Sequence, residues 1–524
     1  MAKIKVKDIA TIVEDAKNRM LNIEQNANIR IGIIVSEENF STSTNYGQML
    51  AKTVEREIHK NNIETEIVLI PTLNDRYKSF TPQSNLIEIY KEQLTNFMEL
   101  LLTEKTFDGL VLISKGISSN IGFLRAAVRQ NLPTIVLSFG PSPIQKGTKL
   151  CDLISMVGKL AAGNCNAFDI QEAEKKQIEN IGTGIDFTTE NILNIIFEGI
   201  GLAVKDAGFA PAGSIEREQI AKDSAATIVK LVKERTSISK VLNKKMLQNA
   251  LNMNSCLGGS SQVFSCILSL FNELEIDFNI NKLLDQAENT PVLYDTKTSS
   301  VAEFKENGGI PTLLKTMAGI KLLDENVKTY LGTPISETYS HVKKTESFPV
   351  LKKNSIVVLR GNIADNYAIA KTFNLPETLT KFEGPAFVVE SDEEGANAVL
   401  NKAIDKGSVI VVKNSGNQSG NGGTIVNQTA IAVESMGLSD QYIIITDGNI
   451  PDESSAVVIG NITPETNGGN LALIKEGDTI EIDFVKGKLN VDLNAKELNL
   501  RQKKHIKEVK SVPTFIKQYL KNIK

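Results

Sequence analysis

The sequence predicts an α/β protein: a doubly wound parallel-sheet N-terminal domain followed by a C-terminal β-barrel domain of the swivelling type. Three observations carry this. Short apolar runs alternate with helically spaced segments over residues 30–137, the pattern of a parallel sheet covered on both faces. Residues 152–274 are mainly helical in pattern. From residue 355 onward, short β-rich runs succeed one another with Gly, Asn and Asp turns between them, as in a barrel or sandwich.

Taken in order, residues 30–35 (RIGIIV) read as a buried strand, and residues 45–59 carry Met49, Val54 and Ile58 at helical spacing. A strand is expected at 64–69. A helix follows at 84–102 through Leu86, Ile89, Leu94, Phe97 and Leu101, then a strand at 109–113, a helix at 121–129 and a strand at 134–137. Ligands of such sheets bind beyond the carboxyl ends of the strands, which singles out loops 36–44, 71–80 and 114–120. Two Gly-rich interruptions, 182–184 and 258–261, break the helical middle. Later strands are expected at 356–359, 385–389, 409–412, 442–445, 456–459, 471–474 and 479–484. The domain limits read as 1–345 for the α/β part and 346–492 for the barrel. A helical tail at 493–524 is amphipathic around 515–520. Residues 414–423 (NSGNQSGNGG) read as a flexible loop.

Composition narrows the function classes. The 524 residues are 41% hydrophobic, enough for large cores, and the net charge of −4 argues against a nucleic-acid binder while leaving a local basic patch open. Residues 1–8 are charged and lack an apolar core, so no secretory signal is expected, and no apolar run is long enough to span a bilayer. Four cysteines, Cys151, Cys165, Cys256 and Cys266, form no CxxC pair and no zinc spacing; they read as reduced, and the expected location is cytoplasmic. The three histidines, His59, His341 and His505, are scattered.

A series of short motifs then carries a resemblance. Residues 358–362 (VLRGN), 382–386 (FEGPA), 390–394 (ESDEE), 446–448 (TDG), 461–465 (NITPE) and 468–477 (GGNLALIKEG) stand in the order found in the carboxyl domain of the dihydroxy-acid dehydratase and phosphogluconate dehydratase family. Residues 258–261 (GGSS), 290–293 (TPVL) and 308–311 (GGIP) resemble motifs nearer its middle. Residues 110–113, Gly122 and 131–133 are in register with its cluster-binding loop. The resemblance covers roughly residues 30 to 505 in one order. It implies a homodimer with the site near the interface, and a reaction that removes water from a 2,3-dihydroxy acid to give a 2-oxo acid. Hydroxide leaves poorly, so the family employs a Lewis acid, an iron–sulfur cluster on three cysteines. A magnesium ion held by carboxylates and a carbamylated lysine binds the substrate, and a serine alkoxide is the base.

This sequence departs from the family at those positions. In register, the first cluster cysteine falls on Ser43. The second, in a motif that also gives magnesium its Asp and Lys, falls on Gly116-Ile117-Ser118, and the third on Gly184. The magnesium Glu falls near Ile425 and the serine base on Pro451. Asp75 is the one metal carboxylate the register retains. Serine and glycine cannot replace thiolates on a cluster, and proline has no hydroxyl. The expectation is therefore a divergent member without the iron–sulfur cluster and with no assured catalytic residue.

What remains in those loops is hydroxyl-rich. Ser43, Lys115, Ser118, Ser119, Thr183 and Ser260 are the candidates for binding a small carboxylate or a phosphorylated sugar acid, with Lys115 as counter-charge at a helix N-terminus. The competing reading makes Ser118 or Ser119 an N-cap and Lys115 a solvated surface group. Glu38, Asp75 and Asp186, with Glu37, are the acids that would take Mg²⁺; otherwise they are solvated loop acids. The glycines at 258–259 serve either close helix packing or substrate contact. Three functions stay open. One is a pseudoenzyme that binds a metabolite or pairs with an active paralogue, another a hydro-lyase with a rebuilt cluster-free site, and the third a structural dimer.

Overall fold

The computed structural model describes residues 29–38, 44–73, 87–143, 150–175, 181–343, 345–417, 424–452 and 454–504, together with position 518. Four parallel strands form the first sheet: β1 (Arg30–Glu38), β2 (Glu64–Thr72), β3 (Gly109–Ser114) and β4 (Thr134–Ser138), in the order β2-β1-β3-β4. Side chains alternate across a strand, and the sequence uses this period to fill two cores. Ile31, Ile33, Val35, Val111, Ile113, Ile135 and Leu137 face helices α1 (Thr44–His59) and, later in the chain, Ile215–Lys233. Ile34, Leu110, Leu112 and Val136 face α2 (Ile87–Glu104) and α3 (Ile117–Gln130). The sheet is thus covered on both faces, as the alternating pattern predicts. The chain reverses strand order between β1 and β3, which opens the crevice at their carboxyl ends.

The helical middle contains α4 (Leu150–Ala162), α5 (Ala167–Lys175), α6 (Thr189–Gly199), α7 (Ile215–Lys233), α8 (Ile238–Val241), α9 (Lys244–Cys256), α10 (Ser261–Glu273), α11 (Ile280–Glu288), α12 (Val301–Glu306) and α13 (Gly309–Gly319). Helices α6, α9 and α10 extend the core against α3 through Leu193, Ile196, Met253, Val263 and Ile267. Arg217, on α7, is fully buried. Its guanidinium donates to the carbonyl oxygens of Ala210 (3.0 Å), Ala207 (2.8 Å) and Ser138 (3.2 Å), tying α7 to the end of β4.

The second sheet has eight strands: β5 (Ile356–Leu359), β6 (Tyr367–Lys371), β7 (Lys381–Val389), β8 (Val409–Val412), β9 (Ile443–Thr446), β10 (Val458–Thr463), β11 (Thr479–Asp483) and β12 (Lys488–Val491). Their order is β12-β11-β7-β8-β9-β10-β6-β5. Strands β7 to β10 run parallel, and antiparallel strands flank them. A bridge from Arg360 to Lys488 joins the two edges, so the sheet is a nearly closed barrel. Val409, Val411, Ile443, Ile445 and Ile480 fill it. Ile410, Val412 and Ile444 point outward, under α14 (Asp392–Leu400) and α15 (Asn427–Ser435).

Three expectations need correction. The pattern predicts a strand at residues 471–474; Asn470–Leu473 is instead a 3-10 turn, and Asn470 donates through Nδ2 to the carbonyl of Asn362 (2.7 Å). The β-only reading after residue 355 omits α14 and α15, which parallel neighbours require as crossovers. Strands β6 and β12 were also absent from that reading. The amphipathic segment at 515–520 lies, apart from position 518, outside the described residues. The tail that is described forms α16 (Ala495–Lys504), held by Arg501 against Asp478.

Candidate functional site

The crevice between β1 and β3 is where the loop chemistry gathers. The Lys115 amide donates to Ser36 Oγ (2.9 Å), locking the two strand ends together. Gly116 follows with φ 90°, a left-handed conformation that favours glycine, and is the N-cap of α3. Its amide donates to Glu190 Oε1 (2.6 Å). Ser118 and Ser119 are buried and neither caps the helix: the Ser119 hydroxyl donates backward to the Gly116 carbonyl (3.2 Å). The N-cap reading of these serines is thereby corrected. The anion at this helix start is the chain's own carboxylate, and helix N-termini favour negative charge.

Gly184 and Thr183 lie in the loop before α6. The Thr183 amide donates to the Gly140 carbonyl (2.9 Å), and its hydroxyl donates to Asn191 Oδ1. Gly184 and Ser142 exchange two bonds: the Gly184 amide reaches Ser142 Oγ (3.0 Å), and the Ser142 amide reaches the Gly184 carbonyl (3.0 Å). Asn191 Nδ2 donates to the carbonyls of Asp186 (2.7 Å) and Gly184 (3.3 Å). Thr188 caps α6 by accepting from the Asn191 amide. Residues 188–191 therefore act as a hub. Glu190 holds the Gly116 loop and Asn191 the Gly184 loop, while Thr189 reaches the barrel.

Nothing in the sequence pattern points to that third contact. Asp452, next to Pro451, turns inward and is 3% exposed at its side chain. Its Oδ2 accepts from Thr189 Oγ1 (2.6 Å) and Ser260 Oγ (2.5 Å), and its Oδ1 accepts from Lys371 Nζ (2.8 Å). Lys371 ends β6 and is 9% exposed. Ser260 is the N-cap of α10 and accepts from the Val263 amide (3.2 Å), which leaves its proton directed at Asp452. Gly258 and Gly259, both with positive φ, bring the chain into that cap. The glycines thus serve the cap, and the serine after them serves the cluster. Lys297, an exposed residue, places its ammonium 5.7 Å from the centroid of the Phe373 ring. Desolvation, then the charge of Lys371, pushes it down to about 8.

On the barrel side, a polar cavity of about 120 Å³ is lined by Tyr367, Ser415, Asp447, Asn449, Asn461 and Glu465, among others. Asp447 accepts from the amides of Ser415 (2.9 Å) and Thr466 (2.9 Å), and burial raises its pKa. The 446–448 turn is in this way an anchor for two barrel loops. Ile425 is buried beside it and bridges to Asn449.

The donor set decides what these positions can hold. Gly116 and Gly184 offer no side chain, and the amide of Gly116 already faces a carboxylate. Among the described residues, Cys256 and Cys266 are buried in the helical core and Cys165 donates to the Met156 carbonyl (3.3 Å); the Cys151 side chain lies outside them. A thiolate-held cluster does not fit such a set. For magnesium, Ile117, Ser118 and Ile425 stand where carboxylates and a lysine would be needed, and among the described residues no three His, Cys, Asp or Glu side chains converge. Of the sequence candidates, Ser43 and Asp75 lie outside the described residues, and of Glu38 only the backbone, at the end of β1, lies within them. Asp186 bridges to Ser300 before α6. Ser119 and Thr183 are consumed in loop architecture, Ser118 is buried in the first turn of α3, and Ser260 joins Asp452. Among the described residues no helix is long and apolar enough to cross a membrane.

Comparison with known proteins agrees with the geometry of the fold. Residues 29–338 match the family described as dihydroxy-acid/6-phosphogluconate dehydratase N-terminal, and residues 341–524 match its C-terminal counterpart. The chain belongs to the dihydroxy-acid/6-phosphogluconate dehydratase family. It is 30% identical over 427 residues to the dihydroxy-acid dehydratase of Caldanaerobacter subterraneus subsp. tengcongensis, covering 78% of this chain and 77% of that one. It is 28% identical over 479 residues to that of Prochlorococcus marinus strain MIT 9312 (88% and 86%), and 28% over 444 residues to that of Pyrococcus furiosus (82% and 80%).

Proposed function

We propose that this chain is a divergent member of the family that binds a small carboxylate or phosphorylated sugar acid, as a cytoplasmic homodimer, without iron–sulfur dehydration chemistry. The observation that carries this is Asp452. At the position where the resemblance places the serine base the loop presents Pro451, and next to it a carboxylate already neutralised by Lys371. A base must be able to take a proton at the substrate; a carboxylate saturated by an ammonium and two hydroxyls is poorly placed to do so. Glu190 on the Gly116 amide supports the same reading at the cluster loop.

The test is anaerobic purification with iron and sulfide assay, a visible spectrum, and turnover of 2,3-dihydroxy and sugar acids with and without Mg²⁺. The expected protein is colourless, yields no 2-oxo acid, and is stabilised against heat by one or more acids of the panel. A brown protein with a broad visible shoulder, turning over a dihydroxy acid, overturns the proposal.

One observation favours a second reading, a cluster-free hydro-lyase. Lys297 sets its ammonium over the ring of Phe373, two residues after Lys371, and is pushed down to about 8, so more of it is neutral, as a base must be, than of an ordinary lysine. On that reading, turnover rises with pH around 8 and is abolished in Lys297→Met.

A further inference from the structure

We infer that Thr189, Ser260 and Lys371 form a carboxylate-binding site that the chain fills with its own Asp452, and that removing this side chain opens the site to a small external monocarboxylate.

The cradle is made of donors. Thr189 and Ser260 give one hydroxyl each to Oδ2, and Lys371 gives its ammonium to Oδ1. All are withdrawn from solvent: Thr189 is 7% exposed, Ser260 1% and Lys371 7% as whole residues. Both hydroxyls stand at helix starts. Thr189 opens the eleven-residue α6, and Ser260 caps the thirteen-residue α10, so the positive ends of two helices face the same carboxylate. The Ser260 hydroxyl is oriented in advance, because its lone pair is used by the Val263 amide.

Asp452 enters this cradle from a loop, between β9 and β10, rather than from a strand or helix. Asn374 holds that loop from outside, donating to the carbonyls of Ser454 (3.0 Å) and Ala456 (3.1 Å). The loop therefore keeps its path when the carboxylate is deleted. What is left is a buried ammonium facing two hydroxyls with no counter-charge, a costly arrangement that any small anion of matching shape relieves. A carboxylate matches because the donors already sit on both oxygens of one.

Size gives a discriminating test. Asp452→Ala removes a carboxyl group, the size of formate; Asp452→Gly also removes a methylene, leaving room for acetate. Thermal unfolding is followed in sodium formate, acetate or chloride at equal ionic strength. The Ala variant is expected to lose roughly 5–10 °C in chloride. It regains at least half of this in formate, with acetate less effective; for Gly the order reverses. Wild type and Asp452→Asn, whose amide still fills the space, do not distinguish the salts. Lys371→Met/Asp452→Ala loses the response. If the Ala variant does not fold in chloride, refolding yield is read instead, and recovery in formate but not chloride has the same meaning. An Ala variant as stable as wild type, or one equally impaired in every salt by either readout, overturns the proposal. The ligand class rests on the acid-binding reading above, yet the two fail separately: colour and turnover judge that reading, and the salt response of the variants judges this site.

Discussion

Helix α6 has a carboxylate at each end, and the two ends treat negative charge differently. At the amino end, the first turn brings Glu190 to the Gly116 amide and Thr189 to Asp452, whose other oxygen meets Lys371. At the carboxyl end, Glu198 is half-buried. It accepts from the amides of Asp206 (2.8 Å) and Gly208 (2.8 Å), but it sits where the helix exposes carbonyl oxygens. Burial outweighs the two amides, with Lys305 adding only a smaller opposing effect, and Glu198 is pushed up to about 7. The difference teaches that burial alone does not make an anion site. Hydroxyls, a cation and helix amino ends together do, and they meet at one end only.

Three measurements would break or sharpen this contrast. The largest effect is expected for Lys371→Met, which leaves Asp452 buried beside an apolar chain: about 3–5 kcal/mol should be lost from the unfolding free energy in urea. A loss below about 1 kcal/mol would mean that the hydroxyls suffice without the cation. Next is Glu198→Gln. Between pH 4.5 and about 7 the folded protein keeps a proton on Glu198 that the unfolded chain has released, so stability falls as pH rises through that window. The shift corresponds to about 3 kcal/mol, and the Gln variant should lose that part of the pH dependence while being less stable overall, since one amide loses its acceptor. An unchanged slope would show Glu198 ionised throughout. The smallest effect is Glu190→Gln, about 1 kcal/mol or less, because its amide oxygen still accepts from Gly116 and only the charge near two helix starts is lost. A loss as large as that of Lys371→Met would place the essential charge at the Gly116 loop instead.

Much of the fold was legible. Residues 30–35, 109–113, 134–137 and 409–412 are apolar runs too short for helices and rich in β-branched residues, and each is a strand. Helices α14 and α15 were not legible. Each is nine residues long, and Gly395 in α14 discourages a helical reading although its close approach to Thr429 excludes a larger side chain. The burial of Asp392, which accepts from the amides of Gln428 (2.8 Å) and Thr429 (2.9 Å), joins those two helices across a distance in sequence that no local pattern spans. The candidate site was legible only as loops. Hydroxyls at Ser118, Ser119 and Thr183 had the right chemistry, yet those of Ser119 and Thr183 are spent on a neighbouring carbonyl and on Asn191, and Ser118 is buried. Glu190 carried one signal, an acid in a first helical turn. Asp452 carried none that names its partners, since Lys371, Ser260 and Thr189 lie far away along the chain. A lysine at the end of the apolar strand YAIAK was the available hint.

The way the Asp452 cluster is divided between the two parts of the molecule has a consequence for assembly. Lys371 and Asp452 both belong to the barrel, whereas Thr189 and Ser260 belong to the helical layer. The barrel can therefore close its ion pair before it meets the rest of the chain. Bringing the two halves together then dehydrates a neutral pair and two hydroxyls instead of stripping water from a lone charge. At this cluster, parting the halves breaks hydrogen bonds that water can replace, while the larger cost lies in the apolar contact of Leu284 and Ala287 with the barrel.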